Sequence, residues 1–169
     1  MRMRYKVGDY VVHLAHGMGQ IANLEKKQLF GGEARLYYEV VTQKSTVWVP
    51  VESATEGTLR SLTAKSELAH YQQILKRKPE ALNADRRLRQ VELNDRLKQG
   101  SFQAICEVVR DLTAHGWRKP LSDADAALLR RISDNLCQEW AAAAGVTVAE
   151  ANQQVNALMF ETKRAHATT

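Results

Sequence analysis

The sequence predicts an α+β protein in which a small, strongly curved β-barrel comes first and an all-α bundle of about five helices follows. Up to about Val51, β-branched and aromatic residues alternate with polar ones, which is typical of strands that are buried on one face. Beyond about Thr58, the chain is rich in Ala, Leu, Arg, Gln and Glu at helical spacing. This change predicts a domain boundary near residues 55 to 62, with one domain over residues 1–60 and a second over residues 61–169.

Four strands are predicted in the first part, at about residues 9 to 14, 18 to 26, 34 to 43 and 45 to 50. Gly31-Gly32 and Gln43-Lys44 are expected to form hairpin turns between them. Pro50 cannot donate to a sheet ladder, so it should end the last long strand or lie on an edge. Short strands of this kind, five in all, suit an SH3-like or Tudor-like barrel.

The second part contains recognisable helix starts and stops. The five predicted starts are Thr63 followed by Ser66-Glu67, Asn83 or Asp85, Ser101, Ser122 and Thr147. The predicted stops of the first four helices are Pro79, Gly100, His115-Gly116 and Gly145. These helices are expected to pack into a compact bundle.

The charge and the apolar runs limit the function classes. A formal net charge of +5 permits a polyanionic partner. No apolar run approaches the roughly 20 residues that a membrane-spanning helix requires. The N-terminal MRMRYK has no apolar stretch behind it, so it does not resemble a secretory signal. We therefore expect a cytoplasmic protein without a membrane partner.

The glycines, histidines and cysteines of this chain do not have the spacing that phosphate-binding, catalytic or metal sites require. The glycine pairs lie between strands, outside the strand-to-helix context of a phosphate-binding loop. The five histidines are scattered, and His16 is better interpreted as a turn histidine bonded to backbone than as a catalytic base. Cys106 and Cys137 lie among apolar neighbours in helical patterns and are predicted to be buried thiols. We expect no enzyme activity, metal, cofactor or small-molecule substrate.

A basic segment runs from Ala84 to Gly100. At about 100° per residue, Arg89 and Arg96 share one side, with Arg86 close by, while leucines point toward the bundle. This pattern predicts a basic ridge; the alternative is an ordinary solvated helix face with internal ion pairs. Further cations at Arg118-Lys119 and Arg130-Arg131 would extend a DNA footprint if the fold brings them together.

For two of the tryptophans the sequence allows two alternative roles. Trp48 lies on a strand whose alternation sends it opposite to Val47 and Val49, so the ring is expected to be exposed. It then either anchors a protein partner or packs against the helical domain. Trp117 is predicted in a loop, where it either stacks on a nucleic acid or is buried between helices. Trp140 is predicted to be a core residue.

Several motifs occur together along the chain: K-V-G-D-Y-V-V-H followed by H-G-M-G, then Y-Y-E-V, V-W-V-P-V-E, E-V-V-R-D-L and L-S-D-A-D. With these motifs the chain resembles the CarD/CdnL family of bacterial RNA-polymerase-binding transcription regulators, from about Tyr5 to Met159. The resemblance implies a Tudor-like module that binds the β subunit of RNA polymerase by edge-strand pairing. It also implies a helical domain that contacts promoter DNA and stabilises the open complex.

By position, the resemblance implies that the polymerase contact involves Lys27, Trp48, Val49 and Pro50. It implies that the DNA contact involves the basic helix, with Arg86, Arg87, Arg89 and Arg96, to which the charge pattern adds Arg118 and Lys119. Two departures stand out. Trp48 replaces a residue that is commonly arginine, so an electrostatic contact becomes aromatic or shifts. The family's wedge tryptophan is absent, and Ala84 or Arg86 takes its place.

Together with this resemblance, the sequence predicts a monomeric, non-catalytic, nucleoid-associated transcription regulator. It is expected to bind the polymerase β subunit through the barrel, to contact double-stranded promoter DNA at the minor groove or backbone without sequence specificity, and to modulate open-complex stability. The alternative is a protein-interaction adaptor that binds RNA polymerase but has lost or weakened the DNA wedge activity.

Overall fold

The computed structural model describes residues 4–29 and 31–167, without the side chains of residues 55 and 56. The chain divides into two compact units, Met1–Leu62 and Thr63–Thr169. The described strands lie in the first unit and the long helices in the second. The predicted α+β class with its order of strands before helices is therefore confirmed.

The first unit is built on a five-stranded antiparallel sheet. Its strands are β1 (Tyr10–His13), β2 (Gly17–Lys27), β3 (Arg35–Thr42), β4 (Thr46–Pro50) and β5 (Leu59–Ser61). They are arranged in the order β4-β3-β2-β1-β5. The four predicted strands agree with β1 to β4 within about two residues.

The sheet is open, whereas a closed barrel was predicted. Within the described residues, β4 pairs only with β3 and β5 pairs only with β1, so these two strands form the edges. The chain passes from one edge to the other through a short helix, α1 (Val51–Ser53), and a π-helical turn (Ala54–Thr58). Helical backbone cannot form ladder hydrogen bonds with a neighbouring strand, and β5 has only three residues, so this connection does not close the sheet.

Curvature of β2 lets one long strand pair with two neighbours. Its first part pairs with β1 and the remainder with β3, with a register shift between Ile21 and Asn23. At Gly19 an added Cβ would lie 2.8 Å from Val40 Cγ1, so only glycine permits this close approach. The side chains enclosed by the curved sheet are Tyr5, Val11, Ile21, Tyr38, Val40, Val49, Val51, Ala54 and Leu59.

The described part of the second unit contains five α-helices: α2 (Leu68–Lys76), α3 (Arg86–Leu97), α4 (Phe102–Arg118), α5 (Asp123–Ala144) and α6 (Val148–His166). A 3₁₀ turn, Lys65–Glu67, leads into α2. The side chains of Asp85, Ser101, Ser122 and Thr147 accept hydrogen bonds from backbone N–H groups in the first turns of α3 to α6. Gly145 ends α5 in the left-handed conformation, with φ of 72°. These predicted caps are confirmed.

Helix α4 continues past its predicted end at His115-Gly116 and reaches Arg118. Trp117 therefore lies in a helix and not in a loop, and it packs, partly buried, against the helical core. Gly116 leaves room in the helix for the side chain of Leu121, because an added Cβ would lie 3.2 Å from Leu121 Cγ. Trp140 is buried as predicted.

Both cysteines are buried thiols, as predicted. Burial, and to a smaller extent the charge of Asp134, raises the pKa of the Cys137 thiol to about 11. In the part of the chain that the structure describes, no helix is long and apolar enough to cross a membrane. No group of three or more His, Cys, Asp or Glu side chains among these residues is placed to hold a metal ion.

Candidate functional site

Among the residues that the structure describes, strand β4 pairs on one side only and so presents a free edge. Thr42 N–H donates to Ser45 carbonyl oxygen at 2.9 Å, and the register continues from this pair to Val41 opposite Thr46 and Val40 opposite Val47. Because antiparallel pairs alternate between bonded and non-bonded, the backbone groups of every second residue of β4 point away from β3. Those residues are Thr46, Trp48 and Pro50.

Pro50 is compatible with this edge in a simple way. Its missing N–H would point away from the sheet, so the proline costs β4 no ladder bond. Thr46 and Trp48 each keep an outward N–H and carbonyl group. Strand β4 is five residues long. It therefore offers a short edge to which an extended segment of another chain can add by main-chain hydrogen bonds.

Of the four residues assigned to a polymerase contact, Trp48, Val49 and Pro50 lie on β4, whereas Lys27 lies at the end of β2. Val49 is buried in the core of the first unit, with 2% of its surface exposed, and its backbone groups face β3, so it offers no group to a partner at the edge. Trp48 lies on the opposite face, as the alternation predicted, but is half-buried and not freely exposed. Its ring is covered by Lys27, whose Nζ lies 3.4 Å from the ring centroid. The structure thus brings Lys27 and Trp48 together as a cation–π pair.

The predicted basic ridge on α3 is wrong at Arg89. Arg89 is only 5% exposed and forms an ion pair with Asp125 of α5, which is completely buried. Its Nε and Nη2 donate to Asp125 Oδ2 at 3.0 and 2.8 Å. Its Nη1 donates to the carbonyl oxygens of Asn83 and Ala84, at 3.0 and 3.3 Å. The guanidinium therefore joins α3, the segment before it and the first turn of α5.

Arg96 is also turned inward. Its Nη2 donates to Asp111 Oδ2 at 2.8 Å, and about a quarter of its side chain remains exposed. Asp111 Oδ1 also accepts from Arg110 Nε at 2.8 Å and from the Glu80 N–H at 3.0 Å. In the R-D of the E-V-V-R-D-L motif, Asp111 thus holds α3 and the segment before it against α4. Arg110 bonds Asp111 and also donates through Nη1 to the carbonyl oxygen of Ile74 in α2, at 3.1 Å.

The physical reason for both corrections is helical geometry. Arg89, Leu93 and Arg96 stand at positions i, i+4 and i+7 and therefore share one face. Leu93 is completely buried, so the face that carries it is the one that packs against the bundle. The arginines on either side can be buried there because each meets a carboxylate.

The remaining predicted DNA residues are exposed: Arg86 and Arg87 in the first turn of α3, Arg118 at the end of α4, and Lys119 directly after it. The Arg89–Asp125 pair fixes the first turn of α5 against α3. His115 of α4 lies within electrostatic reach of four charged residues, Arg89, Asp125, Lys119 and Arg118. The start of α3, the start of α5 and the end of α4 therefore meet at one end of the helical unit.

Exposed cations outnumber exposed carboxylates at this end of the helical unit. Burial lowers the pKa of His115, and the charges of Arg89, Lys119 and Arg118 lower it further against the opposing effect of Asp125. Asp125 Oδ1 has no hydrogen-bond partner among the described residues. Because the Asp125 charge is buried and already paired, the exposed charges here are those of Arg86, Arg87, Arg118 and Lys119 and of the carboxylates Asp85 and Asp123.

The histidine turn of the first unit is a structural feature. His13 Nδ1 accepts from the N–H groups of Ala15 and His16, at 3.0 and 3.3 Å. The backbone-bonded ring is thus His13, while His16, which was expected in this role, is exposed and lies with its ring centroid 4.7 Å from that of His13. Burial, and then the charge of His16, lowers the pKa of His13.

Comparison with known proteins matches both units. Residues 5–63 match the family described as "CarD-like/TRCF RID domain", where RID denotes an RNA polymerase interaction domain. Residues 71–156 match "CarD, C-terminal domain". A relative from Bacillus subtilis (strain 168), named "Putative transcription factor YdeB", is 29% identical over 149 residues, which cover 85% of this chain and 94% of that protein. The chain therefore belongs to the CarD-like family of transcription factors and carries the RNA polymerase interaction domain of that family.

Proposed function

We propose that this protein regulates transcription by binding the β subunit of RNA polymerase through the free edge of β4, and that it contacts promoter DNA with one end of its helical unit. In this proposal, DNA contact modulates the stability of the open complex, and the protein acts without catalysis. The observation that carries it is the unpaired edge of β4 inside a domain that belongs to a polymerase-interaction family.

The polymerase contact is supported by two properties of β4. Its outward backbone groups at Thr46 and Trp48 are available for strand addition, which supplies affinity through main-chain hydrogen bonds. The adjacent aromatic ring supplies a contact of the type that dominates protein interfaces.

A binding measurement tests this assignment. We expect the full chain to bind a purified fragment of the polymerase β subunit, and Trp48→Ala to weaken that binding with little loss of folding. The matched control is Tyr10→Ala, which removes an exposed aromatic side chain from β1, away from the β4 edge. Binding to another subunit alone, or equal binding by the Trp48 variant, would contradict the assignment.

The DNA contact is supported by the four exposed cations at the common end of α3, α4 and α5. If all four bind phosphates, the slope of log affinity against log salt concentration is about −3 to −4. The proposed contact is to the backbone and the minor groove and carries no base-specific readout.

Charge-neutralising variants test it. We expect Arg86→Gln with Arg87→Gln to weaken binding to a double-stranded promoter fragment and to reduce the salt slope by about 2. The control is Lys163→Gln with Arg164→Gln, which removes the same charge from exposed positions near the end of α6. Equal losses for the two double variants would show that only net charge matters.

A second candidate function is favoured by the burial of Arg89 and Arg96 and by the absence of a wedge tryptophan. Without an apolar wedge, an unstacked base step, which costs roughly a few kcal/mol to open, is not held open by this helix. In this alternative the protein is an adaptor that binds RNA polymerase while its helical unit engages another protein. Weak DNA binding that does not depend on salt would favour the adaptor.

A further inference from the structure

We propose that Lys27 is a positioning residue for Trp48, and that the two side chains meet the polymerase as one platform that fits an apolar partner surface and not an acidic one. The inference rests on the proposed function, which assigns the polymerase contact to β4. It concerns the chemistry that the partner must present there.

The geometry shows that the ring is held back over the sheet. Lys27 lies on β2 and Trp48 on β4, with β3 between them. The two side chains nevertheless meet, with Lys27 Nζ 3.4 Å from the ring centroid. The pair must therefore span the outer face of β3, where Tyr37 and Glu39 are half-buried. The tryptophan does not project from the edge as a free anchor.

The charge of Lys27 is already engaged. One face of the indole lies against the ammonium group, and Glu25 Oε2 lies 3.9 Å from the same Nζ. Only 31% of the Lys27 side chain is exposed. An acidic partner group would have to compete with both contacts, so little charge remains for recognition. What remains at this position is the outer surface of the ring and the nearby Pro50.

Strand addition places a partner side chain next to this surface. In a sheet, the residue directly opposite Trp48 has its Cβ about 4.5 to 5.5 Å away on the same face. Aromatic rings gain most when they pair with an aliphatic or aromatic neighbour in this position. We therefore infer that the polymerase strand carries such a residue opposite Trp48, and that the cation–π contact keeps the ring in place to receive it.

A double-mutant cycle on the full chain tests the inference, with a purified fragment of the polymerase β subunit as the ligand. The variants are Lys27→Met, Trp48→Leu and their combination. Lys27→Met keeps the length of the side chain and removes its charge. We expect it to weaken binding about 2- to 30-fold in the parent, the range of a cation–π contact, and to have no effect in the Trp48→Leu background. Parent affinity should change less than about twofold up to roughly 0.3 M salt, since few charges are involved.

The control is Lys26→Met, which removes the same charge from the neighbouring exposed residue of β2. It should leave binding unchanged in both backgrounds. A loss from Lys27→Met that is equal in both backgrounds and disappears at high salt would overturn the inference, because Lys27 would then contact an acidic group directly. That result leaves the proposed function intact. No binding by the parent overturns both.

A measurement on the free protein provides an independent check. Protons of the Lys27 side chain next to the indole should show a ring-current shift in the NMR spectrum, and Trp48→Leu should abolish it. Unshifted protons in the parent would overturn the inference whatever the binding data show.

Discussion

Replacing Arg89 by methionine should destabilise the helical unit far more than replacing a neighbouring exposed arginine. The side chain is 5% exposed and supplies the hydrogen bonds of Asp125 Oδ2, while Oδ1 has no partner among the described residues. Arg89→Met therefore leaves a fully buried carboxylate with neither oxygen bonded. Breaking a buried pair in this way costs about 3 to 5 kcal/mol.

The assay is urea denaturation followed by the helical circular dichroism signal. The control is Arg87→Met, which makes the same chemical change at an exposed position two residues away, and its free energy of unfolding should stay within about 0.5 kcal/mol of the parent. The double variant Arg89→Met with Asp125→Leu should recover part of the loss, because it leaves no unpaired charge.

Equal and small effects of Arg89→Met and Arg87→Met would refute the buried pair. Arg89 would then be a solvated residue, as the sequence pattern predicted, and a DNA contact at that position would again be expected. If the pair is as described, the conservative variant Arg89→Lys should retain part of the stability through its charge, while losing the two bonds to the carbonyl oxygens of residues 83 and 84.

Three further predictions concern local structure. Gly19→Ala should destabilise the first unit by about 1 to 3 kcal/mol in a denaturation experiment, since its Cβ would lie 2.8 Å from Val40 Cγ1; an unchanged midpoint would contradict that close approach. An NMR titration should give His13 a pKa below 6.5 in the folded protein. The contribution of the neutral His13 ring to stability is therefore present above pH 6.5 and is lost as the pH falls toward the lower folded-state pKa. A pKa at or above 6.5 would be inconsistent with the turn. Cys137, whose thiol pKa is raised to about 11, should react slowly with iodoacetamide in the native protein at mildly alkaline pH and rapidly after denaturation; fast native reaction would argue against its burial.

Local features of the fold could be predicted from the sequence. The caps at Asp85, Ser101, Ser122 and Thr147 depend on residues within one turn of each helix start, and the structure contains all four. The strands follow from alternation of apolar and polar residues over a few positions. Closure of the sheet depends on where the distant β5 pairs, and no local pattern specifies that.

The positions of the charged residues were harder to predict. Arginine is rarely buried unless it is paired, and the partner of Arg89 lies 36 residues further along the chain. The shared face of Arg89, Leu93 and Arg96 was a usable signal, because a buried leucine fixes the direction of its neighbours at i−4 and i+3. Contact between Lys27 and Trp48 depends on the register of three strands and has no signal in the local sequence.

The most direct test of the account blocks the β4 edge without disturbing the sheet. Thr46→Pro removes an outward N–H and leaves the ladder to β3 intact, and Thr46→Val retains that N–H as the matched control. The account predicts that parent and Thr46→Val bind RNA polymerase equally, while Thr46→Pro binds at least about tenfold more weakly with an unchanged circular dichroism spectrum, because a main-chain hydrogen bond is lost and the proline ring obstructs the edge. Equal binding by all three folded proteins would contradict strand addition at β4 as the basis of polymerase recognition.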